Sequence, residues 1–153
     1  MTEIRQARPE DAEPVTAVAR AAFGPYVGRL GDLEPWPMHV DYAQKIGEGH
    51  TWVAEDDGVV VGLLVLEPHD DHLLLDIVGI EPGHQGTGLG SRLMDVAEQQ
   101  ARALGLPEVR LYTNVVMTEN LAYYPRRGYV ETHRDQVGPY HRVFFTKALA
   151  PTI

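Results

Sequence analysis

Apolar positions change their period several times along the chain, and each change marks an element. Ile4 to Ala7 reads as a short strand. Beyond it Ala12, Val15, Val18, Ala19, Ala22 and Phe23 recur at helical spacing, which predicts an amphipathic helix from Pro9 to about Phe23. Pro9 suits a first helical position, where its missing N–H costs nothing, and Glu10 and Asp11 suit the positive end of the helix dipole. Gly24-Pro25 ends it. Residues 24–37 carry no period and hold Gly24, Pro25, Gly28, Gly31, Pro35 and Pro37. A second short helix is expected over Met38–Ile46, stopping at Gly47 or Gly49.

The period then becomes that of strands. Trp52-Val53-Ala54 and Val59–Leu66 are two strands joined by the tight-turn sequence Asp56-Asp57-Gly58. Pro68-His69-Asp70-Asp71-His72 turns the chain again, and Leu73–Ile80 forms the next strand. The clearest helix covers Leu89 to about Leu104. Leu89, Leu93, Met94, Ala97, Ala101 and Leu104 mark its apolar face; Arg92, Asp95, Glu98 and Gln99 mark the polar one. Gly105 closes it and Pro107 prevents continuation. Val109–Thr113 reads as a strand, Glu119–Arg127 as a short helix, Tyr129–His133 and Tyr140–Lys147 as strands, and Ala148–Ile153 as a tail. The order β-α-α-β-β-β-α-β-α-β-β, with hairpins followed by β-α-β, predicts an α/β (α+β) fold: one mixed sheet with helices on its faces. The 153 residues fit a single domain, 1–153.

Composition narrows the function. Thirteen Lys and Arg stand against 22 Asp and Glu, a net charge of −9 that repels a phosphate backbone and disfavours nucleic acid. Such a surface suits a cationic partner such as an amine, although much of the charge also serves solubility. With no cysteine there is no disulfide framework, thiolate metal site or Cys nucleophile. The start lacks the order of a signal peptide, and no apolar run approaches the roughly 20 residues of a membrane helix, so a cytoplasmic enzyme is expected.

The candidate chemistry lies in Ile80-Glu81-Pro82-Gly83-His84-Gln85-Gly86-Thr87-Gly88-Leu89-Gly90-Ser91. Three glycines alternate where a strand gives way to a long helix. Glycine lets a ligand approach backbone amides closely, and the first amides of a helix lack internal acceptors. Together with the dipole they form an anion site suited to a pyrophosphate. Tight packing of the helix start against the sheet is the plainer alternative. A P-loop would need Lys before Ser91, and a dinucleotide site would need the glycines directly after the strand and an acid ending the next one, where Leu111-Tyr112-Thr113 has none.

The loop resembles that of the GNAT superfamily of acetyl-CoA-dependent N-acetyltransferases, Gln/Arg-x-x-Gly-x-Gly/Ala after a hydrophobic strand ending in x-Pro. Gln85, Gly88 and Gly90 fill it, preceded by Ile80 and Pro82. Asn120, Ala122, Tyr124 and Gly128-Tyr129 fill a second motif of the family, and Ile4-Arg5-x-Ala7-x-Pro9-x-Asp11-Ala12 resembles its usual opening, so the resemblance covers nearly the whole chain.

The resemblance implies a mixed, mostly antiparallel sheet of six or seven strands flanked by about four helices. It implies that amides of Gln85, Gly86, Thr87, Gly88, Leu89, Gly90 and Ser91 bind the pyrophosphate of acetyl-CoA. The strand through Val78, Gly79 and Ile80 would pair with the pantetheine arm, with an amide there polarising the thioester carbonyl; Gly79 suits a bulge. Asn120 would hydrogen-bond the pantetheine arm, a position that also suits a helix cap. Tyr124 would protonate the departing thiolate, with aromatic packing as its alternative, while Tyr123 would point elsewhere. Glu67, His72, Asp76 and Glu81 are candidates for the base, and none is singled out. The implied reaction is direct transfer of acetyl to a small-molecule or peptide amine, with no metal; a non-catalytic acyl-CoA sensor is the alternative. Members of the family often form homodimers.

Two other clusters carry less. His69-Asp70-Asp71-His72 has metal-ligating types but fills a hairpin connection. Tyr26, Asp32, Glu34 and Trp36 combine aromatic and acidic groups, as a cationic amine would require, or form a solvated loop with Trp36 packed down.

Overall fold

The computed structural model describes residues 2–31 and 33–150. Among them seven strands are β1 (Thr2–Gln6), β2 (Thr51–Asp56), β3 (Val59–Pro68), β4 (Leu73–Ile80), β5 (Glu108–Asn114), β6 (Val130–Val137) and β7 (Tyr140–Ala148). The α-helices are α1 (Ala12–Phe23), α2 (Tyr42–Gly47), α3 (Leu89–Ala103) and α4 (Thr118–Arg126). The sheet order is β1-β2-β3-β4-β5-β7-β6, with β4 and β5 parallel and the pairs β1/β2, β2/β3, β5/β7 and β6/β7 antiparallel. This is the mixed sheet that the element order predicted, mostly antiparallel and with four α-helices among the described residues, as the resemblance implied. No helix among the described residues is long and apolar enough to cross a membrane. The chain forms two compact units, residues 2–66 with 77–96 and residues 67–76 with 97–150.

In the first unit, Val15, Val18 and Ala19 of α1 meet Tyr42 and Ile46 of α2 and Val53, Leu63, Val65 and Ile77 of the strands. Arg5 ties β1 to the start of α1. Its guanidinium donates to Asp11 (2.8 Å) and to Glu55 (2.8 Å), while the Arg8 N–H donates to Asp11 (2.7 Å). The Arg5 hydrogen bond comes first among the causes that hold the buried Asp11 carboxyl below its ordinary range. The second helix differs from expectation. A 3-10 turn covers Trp36–His39, the chain extends at Val40, and α2 begins only at Tyr42. Asp41 supplies the reason: its side chain accepts the Gln44 N–H (3.2 Å) and caps a new helix start.

In the second unit, Leu73–Leu75 of β4 pair with Val109–Leu111, and β5 and β6 both pair with β7. Val109, Leu111, Thr113, Val143 and Phe145 point to the buried face, as the two-residue period requires. Glu98, which the helical period puts on the polar face of α3, is buried. Its carboxylate accepts from Lys147 Nζ (2.8 Å), Arg127 Nε (3.1 Å) and the Tyr129 hydroxyl (3.3 Å), so the acid sits inside because two basic side chains and a phenol meet it there. Leu104, assigned to the apolar face, lies beyond the end of α3 and is half exposed. α4 ends in a Schellman motif: the Tyr129 N–H donates to Tyr124 O (3.1 Å) and the Gly128 N–H to Pro125 O (3.0 Å), with Gly128 at φ +97°. β6 runs four residues beyond its expected end at His133, and every residue in it is exposed. An exposed edge strand has no apolar alternation to announce its length.

Candidate coenzyme and acyl-transfer site

The glycine loop belongs to the first unit. Val78 and Ile80 at the end of β4 are half-buried, and Gly79 is buried. A Cβ on Gly79 would lie 3.1 Å from the Phe23 ring and 3.2 Å from the Leu63 side chain, so close packing accounts for the missing side chain. After a 3-10 turn at Pro82–His84, residues 85–88 are exposed. Gly86 (φ +78°) and Gly88 (φ +83°) take left-handed conformations that L side chains adopt only with strain. The first α3 bond back into the loop runs from Arg92 N–H to Gly88 O (3.1 Å), which leaves the Leu89 and Gly90 amides without an intrahelical acceptor. No acid stands in the first turn of α3.

Side chains brace this loop from behind. Thr87 Oγ1 donates to His84 O (2.7 Å). His84 stands between two carboxylates, with Nδ1 at 2.9 Å from Glu81 and Nε2 at 3.3 Å from Asp56. Glu81 first, then Asp56, raises the imidazole above its ordinary range, and His84 in turn lowers Glu81. The amides, the dipole and the lack of a nearby first-turn acid fit a pyrophosphate.

Asn120 and Tyr124 belong to the second unit, one helical turn apart on α4. Asn120 is not a cap: Met117 occupies the N-cap, and the Asn120 amide reaches β5, donating from Nδ2 to Thr113 Oγ1 (3.1 Å). Tyr124 is buried, its ring packed edge-on to Tyr129 (6.0 Å between centroids) and tilted to Phe145 (5.7 Å). Tyr123 is turned toward solvent, 36% exposed.

The four candidate bases each have a neighbour: Glu67 pairs with His69 (2.9 Å), His72 with Asp71 (2.7 Å), Glu81 with His84, and Asp76 accepts the Tyr112 hydroxyl (2.6 Å). The His69 and His72 rings stack at 4.6 Å, and among the described residues no group of three or more His, Asp or Glu is arranged to hold a metal ion. In the irregular segment the Arg29 guanidinium already covers the Tyr26 ring (4.8 Å), Glu34 pairs with His39 (3.5 Å), and Trp36 is 39% exposed rather than packed down; Asp32 lies outside the described residues. Sequence reasoning missed one constellation, in which Arg142 lies over the Tyr112 ring (4.1 Å) while Tyr112 holds Asp76. Its elements come from three strands, so only the ladder register unites them.

The sequence matches the model of the Acetyltransferase (GNAT) family over residues 15–129. The chain belongs to this family. It is 31% identical over 137 residues to a mycothiol acetyltransferase of Jonesia denitrificans, covering 81% of this chain and 41% of that protein. It is 30% identical over 116 residues to an IAA acetyltransferase of Azospirillum brasilense, covering 72% of this chain and 74% of that one. The chain thus spans about two fifths of the length of the first relative. Among solved structures, the PaiA N-acetyltransferase of Thermoplasma acidophilum, in complex with coenzyme A, has the same fold: TM-score 0.84 at 20% identity, covering 97% of this chain and 99% of that one.

Proposed function

We propose that this chain is an N-acetyltransferase, moving the acetyl group of acetyl-CoA to a primary amine by direct attack in a ternary complex. The exposed loop carries the reading: left-handed Gly86 and Gly88 and the open Leu89 and Gly90 amides offer N–H donors at the positive end of a 15-residue helix. The match running from residue 15 to 129 supports treating both units as one transferase domain. Bound acetyl-CoA supplies an activated acetyl as a thioester. The residues Gln85–Ser91 bind its pyrophosphate through their amides, and the Val78–Ile80 backbone aligns its pantetheine arm. Asn120, fixed through Nδ2 to Thr113, presents its side-chain oxygen to that arm as acceptor. The amine nitrogen bonds to the carbonyl carbon and the C–S bond breaks; Tyr124 gives its phenolic proton to the sulfur, and the proton shed by the nitrogen passes to solvent, from which the Tyr124 phenolate is reprotonated. With no cysteine in the chain, no thiol is present to carry the acetyl group covalently.

Calorimetric titration with acetyl-CoA, CoA and ADP in parallel tests this. Tight acetyl-CoA and weak ADP are expected, because the pantetheine arm contributes. Absence of acetyl-CoA binding would overturn the reading, and binding without CoA release to any amine would favour the sensor instead.

A further inference from the structure

Arg142 is anomalous in a chain with net charge −9. It sits half-buried on β7 with its guanidinium carbon 4.1 Å from the Tyr112 ring centroid and 5.9 Å from that of Tyr140. Among the described residues that guanidinium makes no ion pair and no hydrogen bond. The acid opposite it in the β6–β7 ladder, Asp135, turns its Oδ1 to the Gln136 N–H instead (2.8 Å). The other arginine nearby, Arg134, is satisfied by Glu131 (3.0 Å). Arg142 therefore keeps its fork of donors for something else, and it lines an open groove of about 420 Å³ with Val115, Arg134, Asp135, Gln136 and His141.

The ring beneath it defines the rest. Tyr112 donates its hydroxyl to Asp76 Oδ1 (2.6 Å), and burial followed by the Asp76 charge pushes its pKa far up, so it remains a phenol and Asp76 an acceptor. One aromatic side chain thus carries a guanidinium over its face and a carboxylate at its hydroxyl end. These are complements to the two ends of a zwitterion.

Resting on the acetyl-transfer reading, we infer that the acceptor is an amine that also bears a carboxylate, an amino acid or a compound like one. Arg142 receives the carboxylate in a two-pronged, charge-assisted contact, and Asp76 faces the ammonium end. Arg142 is a specificity determinant on this account; it takes no part in breaking the thioester.

The test is CoA release with a panel of α-amino acids, each matched with its carboxamide and its decarboxylated amine, after acetyl-CoA binding has been measured by calorimetry. The acids should exceed both counterparts by about 10- to 100-fold in kcat/KM, the scale of one charge-assisted pair. In Arg142→Gln, shown folded by its thermal transition, that preference should shrink to within about threefold through a rise in KM with kcat retained; Arg142→Lys should restore part of it. Equal rates for amides and acids, or a preference that survives Arg142→Gln, would overturn the inference. So would acetyl-CoA binding with no turnover of any carboxylate-bearing amine, an outcome that leaves the coenzyme site standing. If acetyl-CoA does not bind at all, the acetyl-transfer reading fails first and this inference with it.

Discussion

The glycine loop and the α4 segment, both proposed to meet acetyl-CoA, are made by opposite means. In the loop the side chains only brace: residues 85–88 are exposed, and the groups proposed as donors are backbone N–H groups set by the positive φ of Gly86 and Gly88. In α4 the side chains do nearly everything. Asn120 is fixed by Thr113, Tyr124 by aromatic rings, and the turn that follows by Arg127 on buried Glu98. A backbone site tolerates change in what its residues carry but not in the angles they adopt. A side-chain site tolerates neither loss of a functional atom nor loss of the packing behind it.

Substitutions can pull the two apart. The largest effect should come from Glu98→Ala, which removes the buried acid that meets both Arg127 and Lys147; a loss of about 3 kcal/mol in urea unfolding is expected. A loss below about 1 kcal/mol would mean that water reaches both cations and that the α4 turn does not depend on this acid. Tyr124→Phe keeps the ring packing and removes the proton, so kcat should fall about 100-fold while acetyl-CoA affinity holds. An unchanged kcat would leave Tyr124 a packing residue. Gly88→Ala has open space for its methyl group but a φ of +83°, so the cost is conformational. Acetyl-CoA affinity measured by calorimetry should drop about tenfold, with the fold intact.

The smallest effect concerns pH. His84 is raised by Glu81 and Asp56, so its contribution is complete below its ordinary value near 6.5 and disappears as pH rises through the higher folded value. Glu81 is lowered, so its share is present above its ordinary value and fades only as pH falls through the depressed one. The thermal transition should therefore slip on the alkaline side, and His84→Asn should flatten that slope. A slope unchanged by the substitution would detach the loop from this brace.

What could be read in the sequence follows the same division. Strands such as Leu73–Ile80, the α3 stripe and the glycine loop are legible because period and glycine spacing are local properties. The extent of β6 and the burial of Glu98 are not local. One depends on pairing with β7, the other on Arg127 and Lys147 arriving from 29 and 49 residues away. The break before α2 was legible in principle, since Asp41 precedes Gln44 at cap spacing, but the helical period of Met38–Ile46 ran across it. Tyr124 was reached only through resemblance, because a buried tyrosine and an acid look alike in sequence.

β6 stands at one end of the sheet with its full length exposed and its pairing with β7 shifted between Glu131 and His133. Strand edges of this kind invite neighbouring molecules to add to them. Here the invitation is withdrawn by the irregular register and by Glu131, His133, Arg134 and Asp135, which would have to surrender water to a docking strand. The strand that sequence periodicity failed to measure is therefore also the one that carries the charges and the register shift by which edge strands resist pairing with a neighbour.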